Sequence, residues 1–84
     1  MTVKIFYFAA LREALGTDRE DLNLPPGVET VGQLRAHLVG RGGAWGALSE
    51  GKSLRTAVNQ RIADPEKILC DGDEVAFFPP VTGG

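Results

Sequence analysis

From Thr2 to Ala9 the side chains alternate between two faces of an extended segment: Val3, Ile5 and Tyr7 on one, Lys4, Phe6 and Phe8 on the other. This predicts a first strand with apolar bulk on both faces. Ala9 to Leu15 is rich in helix formers and stops at Gly16, which predicts a short helix with a glycine cap. Arg19 to Leu24 alternates weakly towards a second strand, closed by Pro25-Pro26-Gly27, and the two strands should form a hairpin-like pair. Thr30 stands before the apolar series Val31, Leu34 and Leu38, with Gln33 three residues after it. That arrangement is a capping box opening the main amphipathic helix, which should run to about Arg41. Gly40, Gly42, Gly43 and Gly46 then break regular structure, with Trp45 and Leu48 tucked against the core in a loop or short turn.

Beyond this break, Leu54 to Gln60 reads as a third strand through Leu54, Thr56 and Val58, and Asn59 to Asp64 pairs back as a short edge. Asp71-Gly72-Asp73 is a turn feeding Glu74 to Phe78, a last strand that sets Val75 and Phe77 opposite Ala76 and Phe78. Strands, a main helix and strands again predict an α+β layout, with the helix across one face of a mixed sheet. Phe8, Ile62 and Phe78 should then form an apolar patch on the other face, and exposed patches of this kind mark interaction sites.

A chain of 84 residues fits one domain, here residues 1–78 with a flexible extended tail at 79–84, and leaves little room for an enclosed active site beside a core. The formal net charge of -2 offers no basic stripe for nucleic acid or anionic lipid, so a protein partner is expected. No stretch approaches the roughly 20 apolar residues that span a bilayer, and Met1-Thr2-Val3-Lys4 leads straight into a strand rather than a signal peptide, so a cytoplasmic protein is expected.

Cys70, the lone cysteine, has no partner for an internal disulfide and reads as a half-buried small residue beside Leu69. His37 reads as a helix surface residue, and Asp71, Asp73 and Glu74 as a charged turn; no metal site is expected. Residues 46 to 53, Gly-Ala-Leu-Ser-Glu-Gly-Lys-Ser, satisfy the phosphate-loop pattern G-x-x-x-x-G-K-[ST]. A working phosphate loop needs a buried strand before it and a helix after it, whereas here a glycine-rich break precedes and a strand pattern follows. It is read as a turn.

The end of the chain reads Phe77-Phe78-Pro79-Pro80-Val81-Thr82-Gly83-Gly84. Two successive terminal glycines arise by chance in about one chain in two hundred. Pro79 and Pro80 stiffen the exit from the last strand, while Gly83 and Gly84 remove every side chain near the carboxylate. From Phe78 such a tail reaches about 20 Å at roughly 3.3 Å per residue, enough to thread another protein's active-site channel.

Ala57-Val58-Asn59-Gln60 and the run from Asp71 through Gly84, together with Lys4 to Phe8, Leu11-Arg12-Glu13 and the central helix, resemble the MoaD family, the sulfur-carrier subunit of molybdopterin synthase. The resemblance covers essentially the whole chain. It implies a β-grasp, ubiquitin-like fold and a carrier that is not an enzyme on its own but one subunit of a heterotetrameric sulfurtransferase. It also implies that a ubiquitin-activating-type adenylyltransferase, using ATP that this chain does not itself bind, adenylates the carboxylate of Gly84. A sulfur donor protein then converts it to a thiocarboxylate. The large subunit would receive the tail, Pro79 to Gly83 with the reactive Gly84, and direct the sulfur onto cyclic pyranopterin monophosphate. Phe8, Ile62 and Phe78 would meet the large subunit and the activating enzyme in turn. A thiocarboxylate carrier of thiamine thiazole synthesis and a ubiquitin-like protein modifier are the competing readings, because terminal Gly-Gly serves them all.

Overall fold

The computed structural model describes residues 1–49 and 54–79. Strand β1 spans Thr2–Tyr7, helix α1 Ala10–Leu15, β2 Arg19–Asn23, α2 Val31–Val39, a 3-10 helix Gly43–Leu48, β3 Arg55–Val58, β4 Arg61–Ile62 and β5 Glu74–Phe78. The strands form one mixed sheet in the order β2-β1-β5-β3-β4. Only β1 and β5 run parallel; β1–β2, β5–β3 and β3–β4 are antiparallel. The parallel pair requires a crossover, and the chain between β2 and β3 supplies it by laying α2 across one face.

That face is the core. Val3, Ile5 and Tyr7 of β1, Val58 of β3, and Val75 and Phe77 of β5 meet Val31, Leu34 and Leu38 of α2, with Leu11, Leu48 and Leu69 closing the margins. Each fully buried large apolar side chain contributes about 1.5–3 kcal/mol. The alternation read from the sequence thus fixes the face of β1 and β5, because only the odd-numbered positions of these strands can turn towards the helix.

The capping box is present: the Thr30 hydroxyl accepts from the Gln33 N–H at 3.2 Å, and Gln33 Oε1 accepts from the Thr30 N–H at 3.1 Å. The next two orphan donors are satisfied across the fold, Val31 N–H by the Lys67 carbonyl at 3.0 Å and Gly32 N–H by the Pro65 carbonyl at 2.9 Å. A Cβ at Gly32 would stand 3.2 Å from both the Pro65 oxygen and its Cβ, a tight approach that would require Pro65 to give by a few tenths of an ångström. The helix ends at Val39, short of the expected Arg41. Two glycines follow closely, and Arg41 leaves the helix path to pair with Glu20 through both carboxylate oxygens, at 2.8 and 3.0 Å.

The glycine-rich break is more ordered than its composition predicts. Its 3-10 helix buries Leu48 completely and sets Trp45 edge-on to Tyr7, with ring centroids 5.5 Å apart. Arg41 lies over the Trp45 ring at 4.4 Å. Trp45 is therefore occupied in packing between Tyr7 and Arg41. The phosphate-loop match begins inside this 3-10 helix, at Gly46, and a helix rather than a strand precedes it; Glu50, Gly51, Lys52 and Ser53 lie outside the described residues.

Candidate functional site

The helices lie on one face of the sheet; the other is open. Cross-strand partners share a face, so the register defines what it displays. One row runs Asp21–Lys4–Glu74 across β2, β1 and β5. The next runs Arg19–Phe6–Ala76–Ala57–Ile62 across all five strands. Phe78 then pairs with Arg55, and Phe8 follows β1 beside it, its N–H donating to the Phe77 carbonyl at 3.2 Å.

Phe8 is 50% exposed and Ile62 65% exposed, while Phe78 and Phe6 are half-buried. Phe6 is the residue that the sequence patch omits. The same alternation that turns Lys4 and Phe8 outward turns Phe6 outward as well, and its pairing with Ala76 puts it between Phe8, Phe78 and the row leading to Ile62. Small residues at Ala57 and Ala76 leave the large side chains standing above the sheet.

The chain turns sharply after Phe8. Ala9 has φ 55° and ψ -131°, and the Leu11 N–H donates to the Phe8 carbonyl at 3.1 Å, which defines a turn whose first corner normally requires glycine. Backbone strain of about 1–3 kcal/mol is therefore held beside Phe8, at the end of the face from which the last strand leaves.

Asn59 of the first family-like motif and Asp71, Asp73 and Glu74 of the second hold the sheet together. Asn59 and Gln60 both have positive φ, making the tight turn between β3 and β4. Asn59 Nδ2 donates to Asp73 at 2.9 Å, and Asn59 Oδ1 accepts from the Glu74 N–H at 3.0 Å. Asp73 also accepts from the Cys70 N–H at 2.8 Å, and Asp71 accepts from the Thr2 N–H at 2.8 Å. The charged turn thus aligns β5 with β1 and β3. Among the described residues no group of histidine, cysteine or acid side chains is arranged to hold a metal.

Two expectations about single residues resolve differently. His37 is exposed on α2, as read from its position. Cys70 is exposed, not half-buried, because Leu69 takes the core position at 2% exposure and Cys70 opens the turn that follows.

The groups whose titration is most altered, buried Tyr7, half-buried Glu20 and exposed Arg41, lie on the helix side. The Tyr7 hydroxyl donates to Glu20 at 2.8 Å, and burial together with that bond pushes its pKa well above the usual phenol range. The Arg41 guanidinium holds the Glu20 carboxyl below the usual carboxylate range, and Glu20 in turn raises Arg41. This charge-assisted set locks β1, β2 and the segment after α2 together and faces away from the open surface.

Within the described residues, Phe78 ends β5 and Pro79 follows. Pro80, Val81, Thr82, Gly83 and Gly84 lie outside them. No helix among the described residues is long and apolar enough to cross a membrane.

The mixed sheet with one helix laid across it and its opposite face bare is the ubiquitin-like β-grasp fold. Residues 5–84 match the ThiS family, and the chain belongs to that family. It is 43% identical over 82 residues to a molybdopterin synthase sulfur carrier subunit of Escherichia coli (strain K12), covering 98% of this chain and 99% of that one. Among solved structures it is similar to SAMP1 from Haloferax volcanii, at 29% identity and a TM-score of 0.77 with both chains fully covered. The complex of subunits 1 and 2 of the molybdopterin-converting factor from Helicobacter pylori 26695 contains a similar fold, with a TM-score of 0.71 at 24% identity over the full length of both chains.

Proposed function

We propose that this chain is the sulfur-carrying small subunit of a molybdopterin synthase. The observation that carries the reading is the near full-length likeness to the Escherichia coli carrier, joined to a family match that runs to Gly84. The open face gives the carrier its means of docking, and residues 79–84 its means of delivery.

The chemistry follows from what a terminal glycine carboxylate lacks. A carboxylate is a poor electrophile, and oxide is a poor leaving group. In the proposed cycle, the Gly84 carboxylate attacks the α-phosphorus of ATP on an adenylyltransferase and displaces pyrophosphate, giving a mixed anhydride. Hydrosulfide released by a donor protein attacks the activated carbonyl, AMP departs and the S–H proton is lost to solvent. The resulting thiocarboxylate is anionic at neutral pH and carries a soft nucleophilic sulfur. On the large subunit that sulfur bonds to a carbon of cyclic pyranopterin monophosphate as the carbon–oxygen bond there breaks and the oxygen substituent departs. Hydrolysis of the acyl–sulfur bond leaves sulfur on the pterin and returns the Gly84 carboxylate, and two such transfers complete the dithiolene. ATP, acids, bases and phosphate-binding groups belong to the partners; Phe8, Ile62 and Phe78, with Phe6, belong to the docking face.

The likeness to SAMP1, a small archaeal modifier protein by name, favours a second reading, in which Gly84 forms an isopeptide bond with lysine. Conjugates that survive a denaturing gel would identify it. Thiamine thiazole synthesis is a further destination the same thiocarboxylate could serve.

The decisive experiment loads the chain with the activating enzyme, ATP and a sulfur source, then follows intact mass and molybdopterin formation. The expected result is exchange of one oxygen for sulfur at Gly84. Deleting Gly84 should abolish delivery, since it draws the carboxylate back by roughly 3.3 Å where about 1 Å costs a hundredfold. Normal molybdopterin synthesis by a form extended beyond Gly84, verified uncleaved, would overturn the proposal.

A further inference from the structure

An apolar patch attracts without direction, yet a carrier must dock with its tail aimed at one opening. The open face holds a second, polar pattern that can supply the direction. Arg19 and Arg55 bracket the aromatic cluster, Arg19 in register with Phe6 on the edge strand β2 and Arg55 in register with Phe78 on β3. Both are exposed. The side chains of neither make a hydrogen bond or ion pair among the described residues, unlike Arg41 and Arg35, which are engaged within the fold. Three strand spacings separate β2 from β3, so the two guanidinium-bearing positions stand about 14 Å apart across the sheet.

The opposite end of the face carries the reverse sign. There Lys4 lies between Asp21 and Glu74, a row of net negative charge at the start of β5, far from the point where that strand leaves towards the tail. Sign therefore changes along the strand direction, negative at the beginning of β5 and positive beside Phe78.

We infer that Arg19 and Arg55 are orienting residues of the docking face, each meeting a carboxylate at the rim of an apolar partner surface and so aiming the tail at the partner's active-site opening. The inference rests on the carrier reading and adds the charge pattern its partners must share: an apolar centre that accepts Phe6, Phe8 and Phe78, with acidic groups on two opposite rims. Arginine suits the task because its planar fork holds a carboxylate in two bonds, which fixes angle as well as distance. Rim charges act chiefly on association rate and its salt dependence.

The test measures association of the full chain with the large subunit and with the adenylyltransferase by stopped flow, at about 0.05 M and 0.5 M salt, a range over which exposed charges become screened. Arg19→Glu with Arg55→Glu is compared with Phe78→Ala and with a Lys67→Glu, Arg61→Glu pair, exposed positions outside the bracket that change net charge equally. Circular dichroism confirms that each variant is folded. The bracket pair should slow association about tenfold at low salt, with the gap closing at high salt, while the control pair changes it less than about threefold. If the two pairs behave alike while Phe78→Ala still weakens binding, the orienting role falls and the carrier reading stands. If the unaltered chain binds neither partner, both fall together.

Discussion

At the residue scale, the strain beside Phe8 is the most local property with a measurable consequence. Ala9 occupies backbone space that glycine enters freely, so Ala9→Gly should raise stability by about 1 kcal/mol despite glycine's larger entropy in the unfolded chain. Urea unfolding at equilibrium checks this, and a loss of stability would contradict the strained turn. Glu20 gives a second residue-scale expectation. Its carboxyl is held below the usual range by the Arg41 hydrogen bonds first and by the Tyr7 hydroxyl as well, with burial opposing them. A depressed folded pKa means that its stabilisation is fully present above the unfolded value, near pH 4.3, and is lost as pH falls through the lower folded value. Glu20→Gln should therefore lower stability at pH 7 and flatten the loss of stability below about pH 4.3. Urea midpoints between pH 7 and 2 for the two proteins decide it; parallel curves would show that Glu20 is not the group responsible.

At the element scale, α2 depends on its first turn more than on its length. It has nine residues, too few to persist alone, and three of them supply its buried stripe. Thr30→Ala removes the acceptor for the Gln33 N–H and should cost about 1 kcal/mol. Thr30→Ser should recover most of that, since the hydroxyl is what the N–H requires; thermal unfolding of the two variants would distinguish loss of the cap from loss of the methyl. The segment at Pro65 to Lys67 acts as an extension of the same cap, which explains why an irregular stretch between β4 and β5 is held in place by backbone bonds.

At the scale of the whole molecule, the fold separates the stabilising core from the proposed docking face. The core and the Tyr7–Glu20–Arg41 set lie on the helix side, and the aromatic cluster lies on the other, so the proposed docking face can change with little cost to folding. Phe78→Ala and Phe8→Ala should each weaken binding to the large subunit by about 2 kcal/mol, roughly thirtyfold, while moving the unfolding midpoint far less. Calorimetric titration beside thermal unfolding tests this division. A variant that lost both together would place its side chain in the stabilising structure.

The order and period of the elements were legible in the sequence because they depend on neighbours: alternation at Val3, Ile5 and Tyr7, the Thr30–Gln33 box, and glycine at Gly16 are all decided within a few residues. The tail motif was equally plain, since Gly83-Gly84 is read directly from residue identity and depends on no contact elsewhere in the fold. Sequence did not disclose that Gly43–Leu48 forms a 3-10 helix, that Arg41 abandons α2 for Glu20, or that Cys70 faces solvent, because each is set by a partner distant along the chain. Likewise Phe6 became part of the open-face cluster, and Arg19 and Arg55 its flanks, only when β5 settled between β1 and β3. Periodicity determines which residues share a strand face; strand order, which depends on non-local hydrogen bonds and burial, determines which of those faces become one surface.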